Sequence, residues 1–192
     1  MTIRRILVIN GHPDPSGEHF AAALTAAYLR GANGAGHQIR RIDAGALDLP
    51  PMRSLTQFMA EPSATARDAQ AAIAWADHLV IVFPLWLGGM PAALKAFFEQ
   101  VFRYGFALTL PGTPYRGLLK GRTARVVVSM GMPATVFRFV FDAAGVKSLT
   151  RGILRTSGFS RVRSSLVGTV EASPRAREDW LRRIERLGAE AR

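Results

Sequence analysis

Short apolar runs without polar alternation recur along the chain, and amphipathic segments separate them. The runs at 4–9, 79–83 and 123–129 have the pattern of strands that are covered on both faces. Shorter strand patterns occur at 38–42 and 162–170. The sequence therefore predicts five strands, of which the central ones belong to a buried parallel sheet.

Helical periodicity fills most of the intervals between the strands. After Pro91, apolar residues recur at three- and four-residue spacing through Phe102, with charged residues on the opposite face. The connection through Leu49-Pro50-Pro51-Met52 is predicted to be irregular, because proline disrupts regular structure. The predicted helices cover 18–30, 63–75 with Ser63 or Thr65 as cap, 91–103, 134–156 with an interruption near Gly145, and 173–191.

Alternation of strands and helices implies right-handed βαβ units, with helices on both faces of the sheet. Five such strands fit an α/β, flavodoxin-like three-layer sandwich of strand order 2-1-3-4-5. A ligand then binds at the carboxyl ends of the strands, beside strand one. We find no repeat or linker, so residues 1–192 are expected to form a single domain.

Composition narrows the classes of function. No apolar stretch approaches the roughly 18 residues that a membrane span requires, and the N-terminus lacks the pattern of a signal peptide. We therefore expect a cytoplasmic protein without a transmembrane segment. The chain has no cysteine, and no zinc-ligand spacing is found, so redox chemistry would have to come from a bound cofactor.

The net charge of +11 is unevenly distributed. Residues 1–115 carry nine basic and eight acidic side chains, whereas 116–192 carry sixteen and six. The excess indicates either a surface that attracts phosphates or a solvated arginine-rich surface with interspersed acids. No aromatic-interleaved nucleic-acid motif accompanies it, so no nucleic-acid partner is expected.

The first strand leads into a loop that has the outline of a phosphate site. Backbone N–H groups in this glycine- and proline-rich turn, next to a helix N-terminus, suit an anion. The loop has neither GxxxxGK[ST] nor GxGxxG, which argues against NTP hydrolysis and against a dinucleotide-fold dehydrogenase. His12 and His19 are candidate hydrogen-bond donors to a phosphate. The alternative for His12 is a histidine whose hydrogen bonds are made with the backbone, and the alternative for His19 is a solvent-exposed helix residue. Alternatively, Asp14 or Ser16 simply caps the helix.

Two further loops are expected at the same edge. Leu85, Trp86 and Leu87 offer an apolar surface for a flat ring, while nearby backbone groups bond its heteroatoms. The alternative to a ring contact for Trp86 is that its side chain simply packs against other protein groups, in the core or at a subunit contact. The loop after strand four, 129–133, has small residues that permit close approach of a ligand, although its methionines also suit the core.

The residues of these loops resemble the NAD(P)H dehydrogenase (quinone) family, a flavodoxin-like group that includes the mammalian quinone reductases. The matching pieces occur in the expected order over most of the chain. They are Asn10-Gly11-His12-Pro13-Asp14-Pro15 with Phe20, Phe83-Pro84-Leu85-Trp86, Met90-Pro91-Ala92-Ala93-Leu94-Lys95, Val101-Phe102, Gly117-Leu118-Leu119-Lys120-Gly121-Arg122 and Met130-Gly131-Met132-Pro133.

The resemblance implies a homodimeric flavin enzyme in which NAD(P)H reduces the flavin and a quinone then takes two electrons, in a ping-pong cycle. FMN is favoured over FAD because the domain is compact. Tyr104, Phe106 and Phe137 are the implied substrate-pocket residues. The implied flavin contacts are His12, Ser16, His19, Phe20, Pro84, Leu85, Trp86, Leu87, Met130, Gly131, Met132 and Pro133.

One segment departs from the family pattern. The tyrosine and histidine that mammalian quinone reductases carry after the third loop are missing from 134–139, so no catalytic side chain is assigned. Three alternatives remain: reduction of azo or nitro compounds, one-electron carriage as in flavodoxins, and a non-catalytic regulatory subunit. The basic net charge of the chain argues against one-electron carriage, because flavodoxin carriers are typically acidic.

Overall fold

A parallel sheet of five strands forms the centre of the computed structural model, which describes residues 2–171 and 173–192. The strands are β1 (Arg5–Asn10), β2 (Gln38–Asp43), β3 (His78–Pro84), β4 (Thr123–Ser129) and β5 (Arg161–Val167). Their spatial order is β2-β1-β3-β4-β5, and every neighbouring pair is parallel. The predicted flavodoxin-like order 2-1-3-4-5 is confirmed.

Helices cover both faces of the sheet. They are α1 (Phe20–Gly34), α2 (Leu55–Met59), α3 (Ala64–Trp75), α4 (Ala92–Val101), α5 (Ala134–Phe139), α6 (Ala144–Lys147) and α7 (Pro174–Ala189), with a 3-10 turn at Ala44–Ala46 and a π-helical segment at Ser148–Arg155. α1 and α7 pack together on one face, and α3 and α4 lie on the other. None of the helices in the described part of the chain is long and apolar enough to cross a bilayer.

Alternate side chains of the strands supply two separate cores. Leu7 and Ile9 of β1 point towards α3 and α4, whereas Ile6 and Val8 point towards α1. All four are fully buried, and each contributes about 1.5–3 kcal/mol of transfer free energy. Burial on both faces explains why β1 lacks polar alternation.

Helix starts agree with prediction at two positions and differ at a third. Ser63 and Ser173 cap α3 and α7, and their hydroxyls accept hydrogen bonds from backbone N–H groups at 3.2 and 3.1 Å. The first helix begins at Phe20 rather than at residue 18. Its cap is the His19 side chain, so the alternative in which Asp14 or Ser16 caps the helix was wrong.

Three other boundaries differ from prediction. The segment 134–156 is divided into α5, α6 and the π-helical segment, with left-handed backbone at Asp142 and Ala143 between the first two. β5 ends at Val167 instead of residue 170, because the chain turns back on the loop after β4. A short helix, α2, forms in the interval where no regular structure was expected.

Long-range contacts explain why local pattern did not indicate α2. Ser54 caps it, and its hydroxyl accepts from the backbone N–H of Gln57 at 3.1 Å. The buried Arg103 guanidinium then donates to the carbonyls of Gln57 and Ala60 at 3.0 and 2.7 Å. The last carbonyl groups of this short helix are therefore satisfied by a side chain 43 to 46 residues away.

Candidate functional site

The loops that leave the central strands are joined at the carboxyl edge of the sheet. Gly11, directly after β1, donates its N–H to Val82 of β3 at 2.7 Å. Leu85, directly after β3, donates to Ser129 at the end of β4 at 2.8 Å. The first loop (11–19), the second loop (85–91) and the third loop (130–133) therefore start from one rigid line of backbone, as the sequence predicted.

Asp14 organises the first loop around two histidines. Its backbone N–H lies 3.1 Å from His12 Nδ1, and its carbonyl oxygen lies 3.0 Å from His19 Nε2. The two imidazole rings are stacked, with centroids 3.4 Å apart and an interplanar angle of 16°. The loop thus brings both predicted histidines together in front of α1.

The hydrogen bonds assign the ring protons of this pair. His12 Nδ1 lies 3.1 Å from the N–H of Asp14 and 3.2 Å from the carbonyl oxygen of the same residue. Because a backbone N–H can only donate, we assign the shorter contact to an accepting Nδ1, which puts the proton of the neutral ring on Nε2. Burial and the neighbouring His19 lower the pKa of His12. His12 is therefore neutral at physiological pH, and its Nε2–H has no partner among the described residues.

His19 is used differently. Its Nδ1 accepts from the N–H of Ala22 at 3.1 Å and caps α1, so its Nε2–H donates to the Asp14 carbonyl. The first backbone N–H groups of α1 lack partners within the helix, and the helix dipole makes this end positive. The open His12 donor and the start of α1 together make a local environment that attracts an anion.

Ser16 and Phe20 have different surroundings from those expected of flavin contacts. The Ser16 hydroxyl donates to the Asp14 carboxylate at 2.8 Å, and its N–H donates to the same carboxylate at 2.9 Å. These two bonds lower the pKa of Asp14, which stays ionised. The Ser16 hydroxyl is thus engaged within the loop. Phe20 is half-buried and packs against the core beside α1.

The second loop is a tight reverse turn that presents large apolar side chains. Trp86 and Gly89 exchange two backbone hydrogen bonds, of 3.0 and 2.9 Å. Leu87 and Gly88 between them have φ values of +47° and +79°, as a type I′ turn requires. The Leu87 side chain is fully exposed, and Trp86 is 49% exposed. Left-handed backbone at a non-glycine residue such as Leu87 costs free energy. The turn therefore combines backbone strain with an exposed apolar side chain, which is unusual for a surface loop.

Contacts connect this turn to its neighbours. The Trp86 ring meets the His12 ring edge-on, with centroids 5.8 Å apart, which links the first and second loops. Gly145 of α6 packs directly on the turn, since a Cβ built there would lie 2.0 Å from the carbonyl oxygen of Gly88. The turn is therefore held from both sides while its tip stays open.

The third loop contributes fewer exposed groups than predicted. Gly131 and Pro133 are exposed and Met132 is half-buried, but Met130 is only 4% exposed and belongs to the core. The Met130 side chain thus serves as core filler, which leaves only its backbone for the predicted flavin contact. Met130 continues the inward alternation of Val126 and Val128 on β4, a signal that was already present in the sequence.

The three predicted substrate-pocket residues differ in how far they are buried. Phe137 is 1% exposed and lies inside the core, so it cannot line an open pocket. Tyr104 is half-buried and contacts Phe58 edge-on at 5.3 Å. Phe106 is half-buried against the core. Sequence reasoning missed an exposed apolar group that follows Phe137, formed by Phe139, Val140 and Phe141.

The chemistry available at this edge is that of a cofactor cradle. Among residues 2–171 and 173–192, no group of three His, Asp or Glu side chains is arranged to hold a metal ion. The edge instead combines an anion-attracting helix start, exposed apolar surface and the backbone groups of a turn. These residue types fit a flavin, which has a phosphate, a flat ring and polar ring heteroatoms.

Fold and site together define a doubly wound α/β protein in which three loops meet at the carboxyl edge of the sheet, where ligands of such proteins bind. The model of a protein family described as having the flavodoxin-like fold matches residues 4–187. The chain belongs to this family.

Individual relatives agree with that assignment. The chain is 23% identical over 225 residues to NAD(P)H dehydrogenase [quinone] 1 of Rattus norvegicus, covering 100% of this chain and 80% of the relative. It spans 57% and 48% of the lengths of two other curated relatives that it matches.

Solved structures share the fold. An NAD(P)H:quinone oxidoreductase from Methanothermobacter marburgensis has a TM-score of 0.82 at 24% identity, covering 98% of this chain and 97% of that one. An FMN-dependent NADH-azoreductase from Bacillus anthracis, solved in complex with FMN, has a TM-score of 0.77 at 18% identity, with 98% and 99% coverage. At sequence identities this low, the likeness to these two structures shows a shared fold and no more.

Proposed function

We propose that this protein is a flavin-dependent NAD(P)H:quinone oxidoreductase that works by a two-electron ping-pong cycle. The observation that carries the proposal is the exposed Trp86–Leu87 turn, held beside the His12–His19 pair at the start of α1. The rat relative, named as a quinone dehydrogenase, supports the choice of reaction class. FMN is the proposed flavin, in line with the cofactor named for the Bacillus anthracis azoreductase.

The proposed contacts follow from the described geometry. The phosphate is assigned to the His12 Nε2–H and the first N–H groups of α1. The flat ring is assigned to Pro84 at the end of β3, to Leu85, Trp86 and Leu87 of the second loop, and to Gly131, Met132 and Pro133 of the third loop. When bound, a flavin supplies the redox chemistry by accepting two electrons from NAD(P)H and passing them to a quinone.

The residues of the chain orient the reactants and exclude water. Trp86 and Leu87 give an apolar surface that favours flat aromatic molecules over water. The neutral His12, whose Nδ1 accepts from the Asp14 N–H, would offer its Nε2–H to the phosphate without carrying a charge. The ionised Asp14 holds the first loop in place through Ser16. Tyr104 and Phe106 remain the proposed pocket residues.

A homodimer is part of the proposal. The exposed apolar group Phe139, Val140 and Phe141 follows the third loop, where burial by a second subunit would enclose an otherwise open edge. Sedimentation equilibrium of the flavin-loaded protein tests this point, and Phe141→Ser is expected to shift the distribution towards monomer.

The test is anaerobic reduction of the flavin-loaded protein by NADH or NADPH, followed by addition of a benzoquinone. Steady-state rates at varied NAD(P)H and quinone are expected to give parallel double-reciprocal lines. Trp86→Ala should weaken FMN binding about tenfold through lost aromatic contact. Leu55→Ala, which removes an exposed apolar side chain from α2, outside the three loops, should leave binding unchanged.

Intersecting lines would exclude the ping-pong cycle, and failure of NAD(P)H to reduce the bound flavin would exclude the reductase. Azo-compound reduction is the second candidate, favoured by the likeness to the Bacillus anthracis azoreductase. A kcat/KM for an azo dye above that for every quinone tested would select it.

A further inference from the structure

Two adjoining cavities at the β5 edge are lined by arginines. The first, of about 420 Å³, lies between α5, β5 and α7 and has Arg125, Arg138, Arg183 and Arg192 in its lining. The second, of about 270 Å³, lies at the amino ends of the strands and is lined in part by Arg4, Arg161, Arg163 and Arg192. Because Arg192 lines both, we treat them as one feature, the β5 cleft.

The charge of the β5 cleft is only partly balanced, because Arg192, which lines both cavities, pairs with Glu190 at 2.8 Å. Among the described residues, no aspartate or glutamate lines either cavity. The cavity between α1 and α7, of about 840 Å³, which Arg183 also lines, does include acids, Asp179 and Glu185. Six of the sixteen basic side chains of 116–192 line these two cavities of the β5 cleft, so part of the positive charge of this region faces one concave place.

The base of the cleft is a buried arginine with unused donors. Arg125 of β4 is 6% exposed, and its Nη1 donates to the Ser165 hydroxyl at 2.8 Å. Its Nε is buried without a hydrogen-bond partner. Burial lowers the pKa of Arg125, and the nearby Arg163, Arg192 and Arg183 act in the same direction. A buried guanidinium without a counterion is strongly unfavourable, and an anion in the cleft would supply one.

A second unpartnered polar atom lies at the amino-terminal cavity. His78 of β3 is 3% exposed, and its Nδ1 is 2.7 Å from the Thr123 hydroxyl, to which Arg4 also donates at 3.0 Å. The Nε2 of His78 is buried without a partner. Two independent buried groups at the cleft thus lack the partners that buried polar atoms normally have.

We propose that the β5 cleft binds a small, multiply charged phosphate-bearing anion. Arg125 and Ser165 form the base of the site, and Arg183 closes it from α7. The Arg183 guanidinium rests on the Trp180 ring at 4.9 Å from its centroid, which restrains it beside the cavity. Guanidinium groups match phosphate oxygens in charge and in bidentate geometry.

The shape of the cleft favours a small anion over a macromolecule. The larger cavity is within the range of about 300–1,000 Å³ that is typical of small-molecule sites. The buried Arg125 can be approached only by a group that enters the cavity, whereas a membrane or nucleic-acid backbone would use protruding side chains. None of the residues that line the two cavities is a proposed flavin contact, although Ala134 and Thr135 of the larger cavity directly follow the third loop.

The test is isothermal titration calorimetry of the FMN-loaded protein with pyrophosphate, at constant ionic strength so that general screening does not change. The proposal predicts saturable binding with one site per chain. Arg183→Gln should weaken it about tenfold, as expected for loss of one charge-assisted contact. Arg125→Met should abolish it. Arg177→Gln, which removes the same charge from an exposed position on α7 outside the cleft, should change it less than twofold.

Other results would overturn the proposal. Absence of saturable binding would do so, as would equal weakening by Arg177→Gln and Arg183→Gln, because general charge would then be the cause. Binding only to vesicles of anionic phospholipid would identify a membrane surface instead. If Arg125→Met does not fold, Arg183→Gln still decides the question. Flavin content is read separately from absorbance, so failure here is distinguishable from failure of the proposed function.

Discussion

At the scale of single residues, the stacked His12–His19 pair sets the character of the first loop. One ring caps α1 and binds the Asp14 carbonyl, while the other is held by the Asp14 N–H and keeps an open Nε2–H. This division of roles explains why two histidines occur where one would suffice to cap a helix. His19 positions the loop, and His12 is the group directed towards an anion.

Replacing His19 tests that division. His19→Ala removes the cap of α1 and the contact with Asp14, and should cost about 1 kcal/mol of unfolding free energy. It should also weaken FMN binding about tenfold, because His12 loses its stacking partner. Ser63→Ala is the matched control: it removes the cap of α3 at a similar cost in stability, and FMN titration should show unchanged affinity. Equal loss of FMN affinity in both variants would attribute the effect to stability alone.

His78 makes stability depend on pH. Burial lowers its pKa from 6.5 to about 3, so the unfolded chain takes up a proton at a higher pH than the folded chain. The free energy of unfolding should therefore fall as pH decreases below 6.5, by up to about 1.4 kcal/mol per pH unit. Urea unfolding between about pH 7 and about pH 5 should give a steeper decline for the native sequence than for His78→Gln. Parallel declines would show that another group is responsible.

At the scale of elements, the short helix α6 positions the second loop by direct backbone contact. Gly145 allows α6 to approach the carbonyl of Gly88, while the π-helical segment that follows α6 packs into the core through Leu149 and Leu154. π-Helical segments are rare and frequently accompany functional sites. Here the segment lies next to a helix that fixes the exposed Trp86–Leu87 turn.

A pair of glycine substitutions examines this contact. Gly145→Ala would bring a Cβ to 2.0 Å from the Gly88 carbonyl, so backbone must move. We expect a loss of about 1–3 kcal/mol in stability, together with weaker FMN binding. Gly152→Ala in the π-helical segment meets open space and should be neutral or stabilising by up to about 1 kcal/mol. Calorimetric melting with and without FMN distinguishes the two. The account fails at this point if Gly145→Ala behaves like Gly152→Ala.

The elements also show what sequence can predict here. Unbroken apolar runs such as Leu79 to Phe83 mark strands buried on both faces, and their alternation with helices leads directly to the order 2-1-3-4-5. That order brings the first, second and third loops to one edge. α2 was missed because Arg103, distant in sequence, satisfies its carbonyls. The burial of Phe137 was missed because it depends on how α5 is oriented against the core.

At the scale of the whole molecule, two charged features lie at different parts of one sheet. The first loop beside β1 forms the proposed phosphate end of the flavin site, where few charged side chains are used. The β5 cleft carries part of the positive charge of the C-terminal part of the chain. This separation predicts that raising ionic strength weakens anion binding in the β5 cleft more than it weakens FMN binding.

The central claim is that the carboxyl edge of the sheet holds a flavin, and one measurement addresses it most directly. Purified protein is mixed with FMN or FAD, desalted, and its visible spectrum recorded before and after anaerobic addition of NADH or NADPH. The account predicts about one equivalent of retained flavin, absorbing near about 450 nm, which bleaches on reduction and recovers with a quinone. Loss of all flavin on desalting, with both FMN and FAD, would contradict it.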